Sequence, residues 1–320
     1  MSRFKNFREF YEKELRSDLE IIDQKRKRVN RRVFCILSLT AMAVTAEILL
    51  IPDTLDLLRG MIPFLTGVAG MILTGIFSRS YRKEYKKRII ARLTNYVDEG
   101  LTYTPEGSVS LSGFLKSGIF PSQCDRFRGE DHFTGMMGKT AIEFSEVHAE
   151  QRNRSESGSS QQNEFTTIFR GLFIVADFNK HFRTRTAVLP DNAERIFGKF
   201  GQSLQSISSD RGKLIRLEDP LFEKEFCVYG DDQVEARYIL TPSLMQRIMA
   251  FRQKWKTRIY LSFRDSNVYI AIPLNKNLFE MRPFKTVANY SFMEKNLRFL
   301  ILLTDIVEDL NLNTRIWTKE

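Results

Sequence analysis

The chain has 320 residues, 42% of them hydrophobic, and its mean hydropathy of -0.28 excludes a protein that consists mainly of membrane spans. Its net charge of +10 is uneven, because residues 1–99 contain 19 Lys and Arg against 12 Asp and Glu, whereas residues 100–320 contain 30 against 27. A nucleic-acid-binding protein should concentrate basic charge on its folded part, so we expect no nucleic-acid partner.

The N-terminal arm and a later segment both place apolar residues at helical spacing. We predict two long helices that form a stalk by packing antiparallel to each other. An arm (residues 3–22) that lies flat on a membrane is the competing interpretation, although the mixed signs of its charges disfavour it. The apolar positions are Phe4, Phe7, Tyr11, Leu15 and Ile22 in the arm and Tyr81, Tyr85, Ile89, Leu93, Tyr96 and Val97 in the later segment.

Two apolar segments lie between these stripes. Val33 to Ile51 contains 19 residues with one charge, Glu47, and Gly60 to Phe77 contains 18 residues with none. At about 1.5 Å per residue, each helix would approach the roughly 30 Å thickness of the hydrocarbon core. We predict a transmembrane hairpin with spans at about 33–51 and 60–77. A pair of buried core helices is the alternative, which the dense flanking charge disfavours.

Basic residues flank the two segments on their outer sides, whereas the short connection carries Asp53, Asp56 and Arg59. Positively charged flanks stay in the cytoplasm, so we predict a two-span protein of the cell membrane with both termini cytoplasmic. The flanks should also contact anionic lipid headgroups, at about 1 kcal/mol per basic residue. They are Lys25, Arg26, Lys27, Arg28, Arg31 and Arg32 before the first segment, and Arg79, Arg82, Lys83, Lys86, Lys87 and Arg88 after the second.

Small residues recur every four positions in the second segment, at Thr66, Gly70 and Thr74. Such a stripe lets a second helix approach closely in a membrane. The first segment could supply the facing surface with Ser38, Ala43 and Ala46. Two helices cannot enclose a pore unless several copies of the chain assemble, so a transport role is disfavoured. Whether the chain forms a homo-oligomer stays open.

After Gly100 the pattern changes to strands and turns. "DHFTGMMGKTAIEFSEVHAE" predicts a hairpin that turns at Gly138 and Lys139, and Phe165–Phe178 predicts a largely buried central strand. The polar segment between them, about 150–164, predicts a mobile loop. Arg258–Pro273 predicts a further hairpin, which turns at Asp265, Ser266 and Asn267.

Helices separate these strands. One is predicted from an Asp191 or Asn192 cap to about Ser206, and a second begins with Thr241 as N-cap and Pro242 at its first position. The last runs from about Tyr290 to Leu310. Hairpins mixed with helices, without regular β-α-β alternation, predict an α+β fold with a mainly antiparallel sheet. We expect residues 1–99 to form the hairpin and stalk, and residues 100–320 to form a cytoplasmic domain.

The richest polar cluster comprises Asp231, Asp232 and Glu235, next to Arg237. Three carboxylates this close could contribute to a site for a hard cation, which binds oxygen ligands. The simpler interpretation is that Asp231 or Asp232 caps a short helix while Glu235 and Arg237 face solvent or a neighbour. No nucleotide, hydrolase or zinc-protease motif is present in the sequence, and we predict no cofactor and no metal.

A second polar cluster, Asp177, Asn179, Lys180 and His181, follows the predicted central strand. Polar groups at strand ends often form sites, but Asp and Asn there commonly satisfy turn backbone instead. His132 and His148 on neighbouring strands could in principle join His181 at a metal, although their spacing gives no support. The three cysteines, Cys35, Cys124 and Cys227, are far apart and predict reduced thiols rather than disulfides.

Three segments carry a resemblance to a known family: "FRGLFIVADFNKHFRTRT", "LEDPLFEKEFCVYGDDQVEARYILTP" and "DHFTGMMGKTAIEFSEVHAE". They resemble an uncharacterised bacterial membrane protein family, domain of unknown function 3137, some members of which carry a "galanin" label. The similarity spans roughly residues 80–312. It implies a bacterial membrane protein with paired N-terminal spans and brings no activity, so no catalytic residue is assigned from it.

Together these patterns predict a membrane-anchored cytoplasmic binding or scaffold domain that is not obviously catalytic. Its expected partners are the lipid bilayer, anionic headgroups and a protein of unknown identity. The alternative is a membrane-bound metal-dependent hydrolase that uses Asp231, Asp232 and Glu235. A lipid- or nucleotide-sensing module is a third hypothesis.

Overall fold

The computed structural model describes residues 6–51, 56–120, 123–153, 164–178, 181–191, 212–275, 277–281 and 285–310. The chain divides into two compact units. Unit 1 comprises Met1–Leu93 and Phe279–Arg298, and unit 2 comprises Thr94–Leu278 and Phe299–Glu320. These units have other bounds than the predicted domains 1–99 and 100–320, and that division of the chain stays a prediction.

Two long helices dominate unit 1. Helix α1 consists of Phe7–Phe10, a π-helical turn at Tyr11–Leu15, and Arg16–Leu50. Helix α2 consists of Asp56–Tyr85, a π-helical turn at Lys86–Ile90, and Ala91–Val97. Both helices are long and apolar enough to cross a membrane, and their apolar parts are almost entirely unburied. This exposure argues against the alternative of buried core helices.

Helices α1 and α2 pack antiparallel, as the stalk prediction requires. Asp18 pairs with Arg92 at 2.8 Å, and Lys25 pairs with Glu84. Phe7 and Tyr11 of the arm are buried, and their rings lie 5.6 and 5.3 Å from that of Tyr290. The apolar face of the arm is therefore not available to a membrane surface in this structure.

Unit 2 is built on a nine-stranded sheet in the order β1-β2-β3-β4-β9-β8-β5-β7-β6, and all of its described pairings are antiparallel. The α+β prediction is therefore confirmed. The strands are β1 Leu101–Thr104, β2 Arg126–Met137, β3 Thr140–Asn153, β4 Glu164–Asp177, β5 Thr186–Pro190, β6 Lys213–Ile215, β7 Phe226–Gly230, β8 Tyr260–Arg264 and β9 Asn267–Pro273.

The predicted hairpins are confirmed. Gly138 and Lys139 join β2 to β3, while Asp265 and Ser266, both with positive φ, join β8 to β9. Strand β4 lies between β3 and β9, which confirms its central position. Strands β3 and β4 extend into both ends of the predicted loop, and residues 154–163 lie outside the described part of the chain.

Helices connect several of the strands, and α6 (Pro242–Trp255) starts as predicted, with the Thr241 hydroxyl accepting a hydrogen bond from the Leu244 amide at 3.3 Å. The predicted last helix is confirmed as α7. The helix predicted to follow Asp191 lies outside the described residues. The helices are α3 Leu111–Lys116, α4 Pro220–Glu225, α5 Gln233–Ile239, α6 Pro242–Trp255 and α7 Tyr290–Asp309.

The two faces of the sheet differ in chemistry. On one face Phe114 of α3 stacks on Phe120 and packs against Phe173, at centroid distances of 5.1 Å in both cases. On the other face Phe133 and Phe144 stack at 4.5 Å. Polar side chains continue this second face along β2, β3 and β4, and they form the candidate site.

Candidate functional site

A row of basic side chains crosses three strands of unit 2. Arg128 of β2 is opposite His148 of β3, and His148 is opposite Arg170 of β4. Directly opposed residues in antiparallel strands point to the same face, so these three side chains form one line. Like charges in such positions destabilise a sheet, and the next row along the strands contains carboxylates of the opposite charge.

The next row contains the acidic residues. Glu130 is opposite Glu146, and the pairing of β2 with β3 is irregular between Glu130 and Phe133. Asp131 lies in this bulge with a φ of 57°. Carboxylate oxygens of Glu130, Asp131 and Glu146 lie within 4.8 Å of one another, and Asp131 and Glu146 are only 1% and 6% exposed. The bulge therefore adds a third carboxylate to the Glu130–Glu146 pair.

Hydrogen bonds hold these carboxylates in place. The Tyr103 hydroxyl donates to Asp131, and the Leu278 amide donates to Glu146 at 2.7 Å. The Asn277 amide donates to Glu130 at 3.4 Å, while its carbonyl oxygen accepts from Arg170. Asn277 therefore links the basic row to the acidic row.

A cavity of about 350 Å³ opens beside both rows, lined by Arg128, Glu130, Glu146, His148, Arg170 and Asn277 together with Gly129. Two residues along a strand span roughly 7 Å, so the cavity offers positive and negative groups at that separation. The carboxylate oxygens are of the type that binds hard cations. Each of the three carboxylates already has a protein partner, however, and the arrangement by itself identifies no ligand.

The predicted cluster around Asp231 has a structural role. Asp232 caps α5 by accepting from the amides of Val234 and Glu235 at 2.7 and 3.0 Å. Glu235 accepts from the Arg183 and Thr184 amides at 2.8 and 2.7 Å. The cap interpretation is therefore confirmed.

The other two members of this cluster also face main-chain groups. Asp231 accepts from the Arg185 amide at 3.3 Å, and Arg237 donates to the Arg216 carbonyl at 3.4 Å. Because the carboxylates of Asp231, Asp232 and Glu235 accept backbone hydrogen bonds, the hydrolase hypothesis finds no support among the described residues.

The second predicted cluster lies at the β8–β9 turn. Asp177 ends β4 opposite Asn267, and the His181 ring lies 3.0 Å from the Ser266 hydroxyl. Asn179 and Lys180 lie outside the described residues. This cluster stays a prediction as a site.

The three histidines do not converge. His132 contacts Glu143 at 2.8 Å, His148 contacts Thr167 at 3.1 Å, and His181 contacts Ser266. A shared histidine metal site is therefore not formed by the described side chains.

The basic flanks need one correction. Arg26 and Lys86 are each only 8% exposed, and Arg26 forms a buried ion pair with Asp23 at 2.8 Å. These two side chains are therefore unavailable to lipid headgroups, because they pack inside unit 1. Lys25 is half-buried, and the remaining flank residues are exposed, namely Lys27, Arg28, Arg31, Arg32, Arg79, Arg82, Lys83, Lys87 and Arg88.

Sequence reasoning missed Arg128, Arg170 and the three carboxylates. One signal was available: Glu146 alternates with Ile142 and Phe144, which are both buried. A carboxylate in an apolar alternation indicates a buried polar group that needs partners. The bulge that adds Asp131 has no comparable local signal.

Comparison with known proteins supports the resemblance over part of the chain. Residues 167–312 match the model of a family described as protein of unknown function (DUF3137). No curated protein matches the chain. The crystal structure of the mycobacterial trehalose monomycolate transport factor A, TtfA, is similar at 11% identity over 69% of this chain and 96% of that chain, with a TM-score of 0.34. A score this low carries no argument about fold or function.

Proposed function

We propose that this chain, whose residues 167–312 match the model of the DUF3137 family of proteins of unknown function, is a membrane-anchored binding protein. Helices α1 and α2 provide the anchor. The sheet of unit 2 provides the binding face, at the cavity beside Arg128, His148 and Arg170.

The observation that carries the anchor is the exposure of large apolar side chains on both helices. Phe34, Leu49 and Leu50 of α1 are 71%, 78% and 79% exposed, and Phe64 and Met71 of α2 are 69% and 72% exposed. Removing apolar surface from water is worth about 25 cal/mol per Å², so a bilayer stabilises a surface of this kind. A soluble protein rarely leaves so many adjacent apolar side chains in water.

The charge pattern supports one orientation. The exposed basic residues lie on the outer sides of the two apolar segments, and positively charged flanks stay in the cytoplasm. Both termini and the sheet unit are then cytoplasmic, and the segment that joins α1 to α2 lies on the other side of the membrane. The exposed flank residues contact anionic headgroups.

The binding face is supported by its buried charges. Burying Asp131 and Glu146 is unfavourable unless each charge is compensated, and such arrangements are concentrated at functional sites. The cavity presents groups of both signs, which suits a protein segment that carries both basic and acidic side chains. Arg128 is exposed at the edge of this face and is available to such a partner.

The anchor is tested with reporters in the full-length chain. A reporter active only outside the cytoplasm should function when inserted at Asp56 and stay silent at Glu320. The protein should also resist extraction by alkaline carbonate. Reporter activity at Glu320, or release by carbonate, would contradict the proposed topology or the anchor, respectively.

The binding face is tested by cross-linking in intact membranes, followed by affinity capture of the full-length chain. An Arg128→Glu/Arg170→Glu variant should lose the captured protein, whereas Arg183→Glu, a control at an exposed position outside the cavity, should retain it. Equal recovery with both variants would place the partner elsewhere.

A further inference from the structure

A second cavity of unit 2, of about 400 Å³, lies at the C-terminal end of α6. Its walls include Glu225 at the end of α4, Met249 and Arg252 of α6, and Lys256 and Arg258 from the segment that leads to β8. It shares no lining residue with the cavity on the sheet face. Its chemistry can therefore be considered by itself.

The charge of this cavity is positive. Three cationic side chains, Arg252, Lys256 and Arg258, line it with one carboxylate, Glu225. Glu225 pairs with Arg252, and both side chains are about two-thirds buried, at 35% and 32% exposure. Within the part of the chain that the structure describes, Lys256 and Arg258 are exposed and form no ion pair. The cavity therefore has two positive charges that are not neutralised by a described carboxylate.

Arg252 is fixed in position before any ligand arrives. Its guanidinium lies 5.5 Å from the centroid of the Phe226 ring and is also held by Glu225. A guanidinium that is already oriented loses little side-chain entropy when it binds an anion.

The backbone also places the two uncompensated cations. Lys256 follows the last residue of α6 in the left-handed conformation, with φ 48° and ψ 39°, and Ile259, three residues later, is completely buried. Lys256 and Arg258 therefore occupy a short connection held at both ends. Lys254 provides a contrast, because it pairs with Asp305 at 3.3 Å and Asp309 at 2.9 Å and lies outside the cavity lining.

We propose that this cavity binds a phosphate group. Arginine presents a planar set of donors that matches phosphate oxygens, and lysine adds a compact positive charge. The volume exceeds that of a phosphate ion, so the ligand is a phosphate ester whose remaining part also occupies the cavity. Its source is either a soluble phosphate ester or the headgroup of an anionic phospholipid. The proposal does not depend on the anchor or on the sheet-face cavity.

The test uses the full-length chain in uncharged detergent micelles and titration calorimetry with glycerol phosphate. Wild-type protein should bind it, and binding should weaken as salt increases. Lys256→Gln/Arg258→Gln should lower the affinity by more than about tenfold, since hydrogen bonds to charged groups are lost. Lys254→Gln removes a nearby charge from outside the lining and should change affinity by no more than about twofold. Circular dichroism should confirm that all three proteins are folded.

A second arm identifies the source of the phosphate. The same proteins, held in neutral-lipid nanodiscs, are mixed with vesicles of phosphatidylcholine that contain or lack phosphatidylglycerol. Binding of glycerol phosphate with no vesicle binding supports a soluble ester, and variant-sensitive binding to the anionic vesicles supports a lipid headgroup. The proposal is overturned if wild-type protein binds neither probe, or if the double variant binds as tightly as wild type.

Discussion

The carboxylate of Glu47 accepts a 2.9 Å hydrogen bond from the hydroxyl of Thr66, which joins the apolar parts of α1 and α2. Further along the two helices, Thr40 lies so close to Gly70 that a Cβ atom added there would be 2.5 Å from the Thr40 hydroxyl oxygen. These two contacts join the apolar parts of the helices, beyond the ion pairs of the stalk.

Thr66→Val should weaken the pairing of α1 and α2. The substitution keeps the shape of the side chain but removes the donor to Glu47, and interhelical hydrogen bonds of this kind contribute about 1 kcal/mol. Thr74→Val is the matched control, because the Thr74 hydroxyl donates within its own helix, to the Met71 carbonyl. Unfolding of the full chain in mixed micelles measures both variants. Equal losses of unfolding free energy in the two variants would show that the hydrogen bond from Thr66 to Glu47 makes no specific contribution to the pairing.

Gly70→Ala should separate the helices, whereas Gly67→Ala should not. A methyl group at Gly70 would overlap Thr40, while Gly67 has no neighbouring atom within 4 Å of its added Cβ. We expect Gly70→Ala to cost about 1–3 kcal/mol, as overpacking does elsewhere. Disulfide trapping between cysteines introduced on the two helices would report the change in spacing. Identical trapping in both variants would contradict the close contact.

The sheet hairpins could be predicted because their signals are local, whereas the candidate site could not. Gly138 and Asp265 lie in turns that separate alternating segments. Arg128, His148 and Arg170 are distant in the chain and become neighbours only through the register of β2, β3 and β4. No local pattern specifies that register to a single residue.

The acidic cluster at 231–235 shows the converse problem. Its carboxylates are adjacent in sequence, which suggested a cation site as one hypothesis. In the structure the Glu235 carboxylate accepts hydrogen bonds from the Arg183 and Thr184 amides. The Asp232 carboxylate accepts a hydrogen bond from the Val234 amide of the helix that it caps. The cap at Asp232 could be predicted from the sequence, whereas the amides that donate to Glu235 come from residues about 50 positions earlier in the chain and could not.

Asp131→Asn should be tolerated far better than Asp131→Val. Asn accepts the left-handed conformation, with φ 57°, and can still accept from Tyr103. Val combines a β-branched side chain with a loss of the acceptor, so we expect it to cost about 2–4 kcal/mol from backbone strain and the lost hydrogen bond from Tyr103. Urea denaturation of the full chain in uncharged detergent gives both values. A Val variant as stable as the Asn variant would show that the bulge does not need the conformation described.

The buried ion pair of Asp23 and Arg26 should make stability depend on pH. Burial alone would raise the pKa of Asp23, but hydrogen bonds from Arg26 and Thr286, the Arg26 charge and the Val287 amide together lower it below its ordinary value. A carboxyl group with a lowered pKa stabilises the fold fully above its unfolded pKa of about 3.9, and this contribution is lost as pH falls through the folded pKa. Asp23→Asn should therefore be less stable than wild type by about 3 kcal/mol at pH 7.

This difference between wild type and Asp23→Asn should shrink below about pH 4, because protonated Asp23 loses its charge as Asn does. Glu20→Gln is the control, since Glu20 pairs with Arg16 at 3.2 Å on an exposed surface. Exposed pairs contribute about 0–1 kcal/mol, so this variant should follow wild type closely at every pH. Denaturation of the full-length proteins between pH 2 and pH 7 provides the comparison. A difference for Asp23→Asn that stays constant over this range would mean that the ionised carboxylate does not carry the effect and that the variant acts through packing instead.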